Sequence, residues 1–202
     1  MDSADTIVAC LQAACRDIGI APPPDRLARH VIGLGLIEAL QYMLPELPSE
    51  RYDELVERYR VHFVARDVAV PLFEGVAATI EQLHRDGYLL AIATGKSRRG
   101  LERALGQTEL AAYFHASRCA DECASKPDPL MLTELLNEFA VAPERALMIG
   151  DTSHDVLMAQ QAGVPCLAVT YGAHDAAALR ALEPLACVAD IQELNTWLRQ
   201  NA

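Results

Sequence analysis

Lysine is almost absent from this chain: of 17 Lys and Arg residues only two, Lys96 and Lys126, are lysines. Positive charge is scarce in general, with a formal net charge of -11. Nucleic-acid backbones are held by clustered Lys and Arg, so no nucleic-acid partner is expected. A small anion would have to be bound locally, against the mean field. Long apolar runs are missing too. No window holds the roughly 20 uninterrupted apolar residues that a spanning helix requires, and the N-terminus has no basic segment leading into an apolar one. The expectation is therefore no membrane partner and a cytoplasmic address. Six cysteines (Cys10, Cys15, Cys119, Cys123, Cys166 and Cys187) include no C-x-x-C pair and no zinc spacing, which predicts reduced, largely buried thiols. The histidines are scattered singly and read as surface or core residues.

What is present is a chain of 202 residues, 51% hydrophobic, enough for one globular core and an appended smaller unit. Its period changes near Pro71. Before it, only helical patterns occur: Ile7, Val8, Leu11, Cys15 and Ile18 share a face that stops at Gly19. A second helical stretch runs from Asp25 to Met43, with a break at Gly33 and Gly35. Ser49 is expected to cap a third from Glu50 to Arg66. The spacing predicts a helical domain over residues 4–70.

From residue 71 to 202 short apolar runs alternate with amphipathic helices. Helices are predicted over 76–85, 98–105, 129–139, 154–162 and 191–199, and strands over 88–93, 113–118, 146–149 and 166–169. Continuous apolar strands between helices imply an α/β fold with a parallel sheet covered on both faces. In such sheets ligands sit beyond the carboxyl ends of the strands.

Three of those places carry chemistry. In AIATGKS (Ala91–Ser97), Thr94 offers a hydroxyl and a backbone N–H, and Gly95 permits close approach of a ligand. The tail mimics a P-loop, but that motif needs glycine where Leu90 stands, so the nucleotide-binding reading is discarded. In ASKPDP (Ala124–Pro129), Lys126 precedes two prolines that hold the loop and start the next helix. In a chain that uses arginine for its surface, a lysine here marks a need for a compact point charge. In ALMIGDTSHD (Ala146–Asp155), Asp151 follows a buried strand and Asp155 follows it at the head of a helix. Each acid alone has a plain reading, as a turn or cap residue or as a charge favouring a helix N-terminus. Together they repel unless a cation joins them, and hard oxygen donors select Mg2+.

Thr94, Lys126 and the Gly150-Asp151…Asp155 element, in this order, resemble the second, third and fourth motifs of the haloacid dehalogenase superfamily. The likeness is to the phosphoglycolate phosphatase-like branch and runs over essentially the whole chain. It implies a Rossmann-like core with a helical cap and a Mg2+-dependent phosphatase working on a small phosphorylated substrate through an aspartyl-phosphate intermediate. Thr94 and Gly95 would bind the transferred group, and Lys126 would act in catalysis by holding both nucleophile and phosphate. Asp151 would hold Mg2+ with Asp155 in its outer shell. As to assembly, a monomer or homodimer is expected.

One motif of the superfamily does not occur. Its nucleophilic Asp-x-Asp-Gly-Thr ends the first core strand, and this chain opens on Met1-Asp2-Ser3, beyond the place of that motif. The expectation is that the first core strand and its nucleophile lie upstream of Met1 and that the chain as written is inactive. Branches that use a cap lysine are disfavoured because residues 1–95 hold no lysine, and metal-free dehalogenases are disfavoured by Gly150-Asp151. A sugar phosphate mutase, or a non-catalytic relative that binds a phosphorylated ligand or a protein, remain as alternatives. In the cap, Arg26, Arg29, His30 and Gly33–Gly35 are candidates for touching a substrate anion, against a plainer reading as a surface helix and a turn.

Overall fold

The computed structural model of the chain describes residues 1–67 and 70–201. Its first part is helical, with α1 (Ala4–Asp17), α2 (Asp25–His30), α3 (Leu36–Met43) and α4 (Tyr52–Asp67). The periodic apolar positions of α1 do what their spacing predicts: Val8, Leu11 and Cys15 are buried, as is Ile18 just past its end. They meet Leu40, Leu55 and Val56 in a cluster whose members all lie between Ile7 and Tyr59, so the four helices bury one another. Gly33, at φ +104°, breaks the second stretch between α2 and α3. Ser49 is not the cap of α4. Pro48 precedes a single 3-10 turn over Ser49–Arg51, and the Ser49 hydroxyl turns to the neighbouring Glu50 carboxylate at 3.3 Å. Residues 68 and 69, inside the expected helical unit, lie outside the described residues.

Alternation follows: α5 (Val76–Arg85), β1 (Ala91–Thr94), α6 (Arg98–Thr108), β2 (Ala116–Cys119), α7 (Leu130–Phe139), β3 (Met148–Gly150), α8 (Ser153–Ala162), β4 (Cys166–Val169), α9 (Ala176–Arg180), β5 (Ala186–Val188) and α10 (Ile191–Asn201). Every strand pair is parallel. This is the Rossmann-like α/β architecture with a helical unit beside it. The first two strands start three residues later than their apolar runs, because pairing begins only at Ala91 opposite Ala116. Tyr88 and Leu89 stay exposed, and a 3-10 turn over Ala111–Tyr113 replaces the expected start of β2. Two short elements, α9 and β5, add to those predicted. Among the described residues no helix is long and apolar enough to cross a membrane.

The strands fall into two groups that do not pair with each other, β1–β2 and β3–β4–β5. Between them lies a cavity of about 1150 Å3, with Ile92–Thr94 of β1 and Met148–Gly150 of β3 among its lining residues. Among the described residues each of these two strands pairs with another strand on one side only. This slot is the dominant feature of the core, and the candidate site stands at its carboxyl end.

Candidate active site

Thr94 is the last residue of β1, and its Oγ1 accepts a hydrogen bond from the Lys96 N–H (3.2 Å), closing the turn in which Gly95 sits. A Cβ on Gly95 would lie 2.3 Å from the carbonyl oxygen of Leu34 and 2.6 Å from that of Gly33. Backbone from the helical region thus presses on this turn, and only glycine admits it.

Asp151 follows β3. One carboxylate oxygen, Oδ2, accepts the Ala173 N–H at 2.8 Å, and the Asp151 carbonyl accepts the His174 N–H at 3.2 Å. A Cβ on Gly172 would come within 2.2 Å of the Asp151 carboxylate, so the opposing loop is cut to fit this side chain. Among the described residues nothing donates to Oδ1. Burial, and after it the negative charge of Asp155, push the Asp151 carboxyl above the usual carboxylate range. A group in that condition gains from a nearby cation.

Asp155 is differently placed. It is the third residue of α8, and with Thr152 it forms a reciprocal capping box. Its Oδ2 accepts the Thr152 N–H (3.0 Å) and hydroxyl (2.7 Å), while Oδ1 accepts the Lys126 ammonium at 2.6 Å. Burial raises the Asp155 carboxyl, but Lys126 and the Thr152 donors outweigh it and hold the group below its ordinary range. Both partners are buried, at 7% exposure for Lys126 and 3% for Asp155. The two acids that look alike in sequence therefore differ: Asp155 is engaged by three protein donors, and Asp151 keeps an open oxygen. Thr94, Gly95, Lys126, Asp151 and Asp155 all line the one cavity.

A family model for haloacid dehalogenase-like hydrolases matches residues 1–169. This chain belongs to that family. Among its relatives is a probable phosphatase, IndB, of Dickeya dadantii, 32% identical over 96% of this chain and 86% of that protein. A phosphoglycolate phosphatase of Agrobacterium fabrum is 29% identical over 98% of this chain and 87% of that one. The fold matches that of a hydrolase from Pseudomonas syringae with a TM-score of 0.91 at 21% identity, over 100% of this chain and 94% of the other.

In this haloacid dehalogenase-like hydrolase the helical region meets the site at the loop Gly33–Gly35. It packs on Gly95 as described, the Gly35 N–H donates to Ser125 Oγ at 2.6 Å beside Lys126, and a Cβ on Gly33 would sit 2.9 Å from Thr152 Oγ1. Of the other cap candidates, Arg29 is paired with the exposed Asp5, and neither it nor Arg26 lines the cavity. His30 joins a cluster that the scattered single histidines did not announce. Its ring lies 5.5 Å from that of His154 and 5.7 Å from that of His174, and the His154 ring nitrogen Nε2 lies 2.8 Å from the His30 carbonyl oxygen. His174 Nδ1 accepts the Ser153 N–H at 3.0 Å, while its Nε2 is buried with no hydrogen-bond partner among the described residues. Burial first, then His154 and His30, push the His174 imidazole down to about 4.

Sequence reasoning also passed over a contact across the cap boundary. The Lys96 ammonium stands 5.0 Å from the centre of the Phe63 ring on α4. As for a metal, among the described residues no three His, Cys, Asp or Glu side chains converge into a cage. The open Asp151 oxygen and its raised affinity for protons suit a single hard cation held largely by other ligands and water.

Proposed function

We propose that this chain is the greater part of a Mg2+-dependent phosphatase that acts on a small phosphorylated metabolite through an aspartyl-phosphate intermediate. The observation that carries the reading is the slot between β1 and β3, with Thr94, Lys126 and Asp151 lining one cavity around it. The phosphatase and phosphoglycolate phosphatase relatives support the reaction class.

In this reading the Thr94 hydroxyl and the N–H groups of the turn at Gly95 take phosphoryl oxygens, and glycine lets them come close. Lys126 supplies a fixed positive charge toward phosphate and nucleophile, held in place by Asp155. Asp155 in turn fixes the start of α8 and so the position of Asp151. Mg2+, held directly by Asp151 with Asp155 behind it, would neutralise phosphate charge and let the anion enter an acidic chain. The nucleophilic aspartate is not assigned to any of the 202 residues. It belongs on a parallel strand seated between β1 and β3, where it would satisfy both unpaired edges and end beside Thr94 and Asp151. Residues 1–202 alone then bind phosphate without turning it over. Residues 4–70 form the cap and 71–202 the core, in a cytoplasmic monomer or homodimer with neither nucleic-acid nor membrane partners.

The test compares residues 1–202 with a version that carries an apolar strand and Asp-x-Asp-Gly-Thr before Met1, using p-nitrophenyl phosphate and Mg2+. Turnover confined to the extended version, and lost again on Asp151→Asn, is the expected result. Equal turnover in both would place the nucleophile within the chain. An extended version that binds phosphate and never hydrolyses it would make this a phospho-ligand-binding relative.

A further inference from the structure

His174 has no role in the scheme above, and it does not line the cavity, although Gly172 and Ala173 just before it do. It stands behind Asp151 and grips the chain on both sides of Thr152. Its N–H donates to the Asp151 carbonyl at 3.2 Å. Its ring nitrogen Nδ1 accepts the Ser153 N–H at 3.0 Å, with the Ser153 hydroxyl 3.2 Å from the same atom. One residue earlier, the Ala173 N–H holds Asp151 Oδ2 at 2.8 Å. Two of these bonds need only backbone in the right place, whereas the third needs a side chain with an acceptor at its δ position. Because Nδ1 accepts, the proton of the neutral ring sits on Nε2, which is buried with no hydrogen-bond partner among the described residues. Packing alone does not call for histidine here, since an apolar side chain would fill the same place and leave no buried donor unpaired.

The slot for the ring is made by two others. His30 of α2 stacks on it, with 5.7 Å between centres and 18° between planes, and His154 of α8 meets it edge-on at 5.3 Å and 72°. The helical region thus supplies one wall of the slot, and the direction of Nδ1 is set in part from outside the core. That direction matters for the carboxylate. A Cβ on Gly172 would come within 2.2 Å of the Asp151 carboxylate, so loop and side chain are in close register. A loop that moved away would take the Ala173 N–H with it and free Asp151 to turn. Holding Oδ2 is what fixes the place of Oδ1, the oxygen left open for a cation.

We infer that His174 is a positioning residue for the metal site: by clamping Ser153 to the loop after β4 it fixes the Asp151 carboxylate for Mg2+, and the His30 ring stacked on it makes that fixation depend on the helical region being seated. The inference rests on the reading above in which Asp151 holds the cation. Removing a group that orients a metal ligand typically costs about 10- to 100-fold in metal affinity. His174 acts one step behind such a group, so the lower end of that range applies.

Mn2+, which takes the same oxygen donors as Mg2+, tests this on residues 1–202 without turnover, the free ion being counted by its electron paramagnetic resonance signal during a titration. His174→Asn keeps an acceptor at the δ position and loses the ring. His174→Leu and His174→Ala both remove the acceptor, the first keeping apolar bulk and the second unable to clash. Leu and Ala should each weaken Mn2+ binding about tenfold, Asn should stay close to the parent, and His30→Leu should weaken binding in part. A merely structural ring would order the three His174 variants by packing, with Leu the best substitute and Ala the worst. That order, or parent affinity in the Leu and Ala variants, overturns the assignment. Parent affinity in His30→Leu overturns the coupling to the helical region. If a folded parent holds no Mn2+, or Asp151→Asn holds it as well as the parent does, the metal reading itself falls and takes the assignment with it.

Discussion

All four residues of β4 are buried and none of β1 is, although Leu167-Ala168 and Ile92-Ala93 are the same kind of sequence. Position makes the difference. β4 has a strand on each side and belongs to two apolar clusters, one reaching α7 and α8 through Met131, Val156 and Met158, the other reaching α10 through Ile191, Leu194 and Leu198. β1 has β2 on one side and the cavity on the other. The helices before and after it in the sequence bury little: Thr79 in α5, and Leu101 and Ala104 in α6. Apolar residues become core only where a neighbouring strand completes the layer, so one half of this sheet is a finished interior and the other awaits a neighbour.

The largest expected effect lies at the ion pair that ties the loop after β2 to α8. Lys126→Met should destabilise the chain by about 3 to 5 kcal/mol, because it strands the buried Asp155 carboxylate. Adding Asp155→Leu should restore most of that loss, and urea unfolding of the three proteins measures it. A single variant as stable as the parent would mean that this pair is not a structural link.

A sharper comparison sets one large truncation in each half. Leu167→Ala, at a fully buried site, should cost about 2 to 5 kcal/mol. Ile92→Ala, at the slot, should cost about 1 kcal/mol or less, because its side chain already borders the cavity. Equal costs would show that the two halves are packed alike. Filling the slot with a strand, as in the extended version, should raise the cost at Ile92 toward that at Leu167.

A further effect is one of pH. His174 takes a proton near 4 in the folded chain and near 6.5 when unfolded. Between these values the unfolded chain binds the extra proton, so stability falls as pH drops from about 6.5 to 4, by on the order of 2 kcal/mol. His174→Gln keeps an acceptor for the Ser153 N–H and should flatten this part of the profile. The depressed Asp155 acts at lower pH, its contribution being lost only as pH falls through its folded value. A His174→Gln profile with the same slope as the parent's from pH 6.5 to 4 would refute the assignment to His174.

Much of this was legible in the residues. The fully apolar run Cys166–Val169 is β4 to the residue, because a strand buried on both faces leaves no ambiguity of period. Thr94, Lys126 and Asp151 could be found because chemistry in a parallel sheet collects at strand ends. What stayed hidden depends on contacts distant in sequence. The strand β5 is three residues, Ala186–Val188, too short for any period, and it exists because β4 offers it an edge. That Lys126 is bound by Asp155 follows from the loop's path. The histidine cluster draws one ring from α2, one from α8 and one from the loop after β4, and no local pattern links them.

The contact at Gly95 has a consequence for how such proteins diversify. Its shape is dictated by carbonyls of the cap, at 2.3 and 2.6 Å from where a Cβ would be, while it sits in the sequence of the core. A cap is therefore not a freely exchangeable module. Grafting one from a relative with a bulkier entry loop would require a new residue at 95, and a core that acquired alanine there would reject the present cap while still folding around its own sheet. Residue 95 and the Gly33–Gly35 loop are sterically coupled, although 60 positions separate Gly35 from Gly95 in the chain.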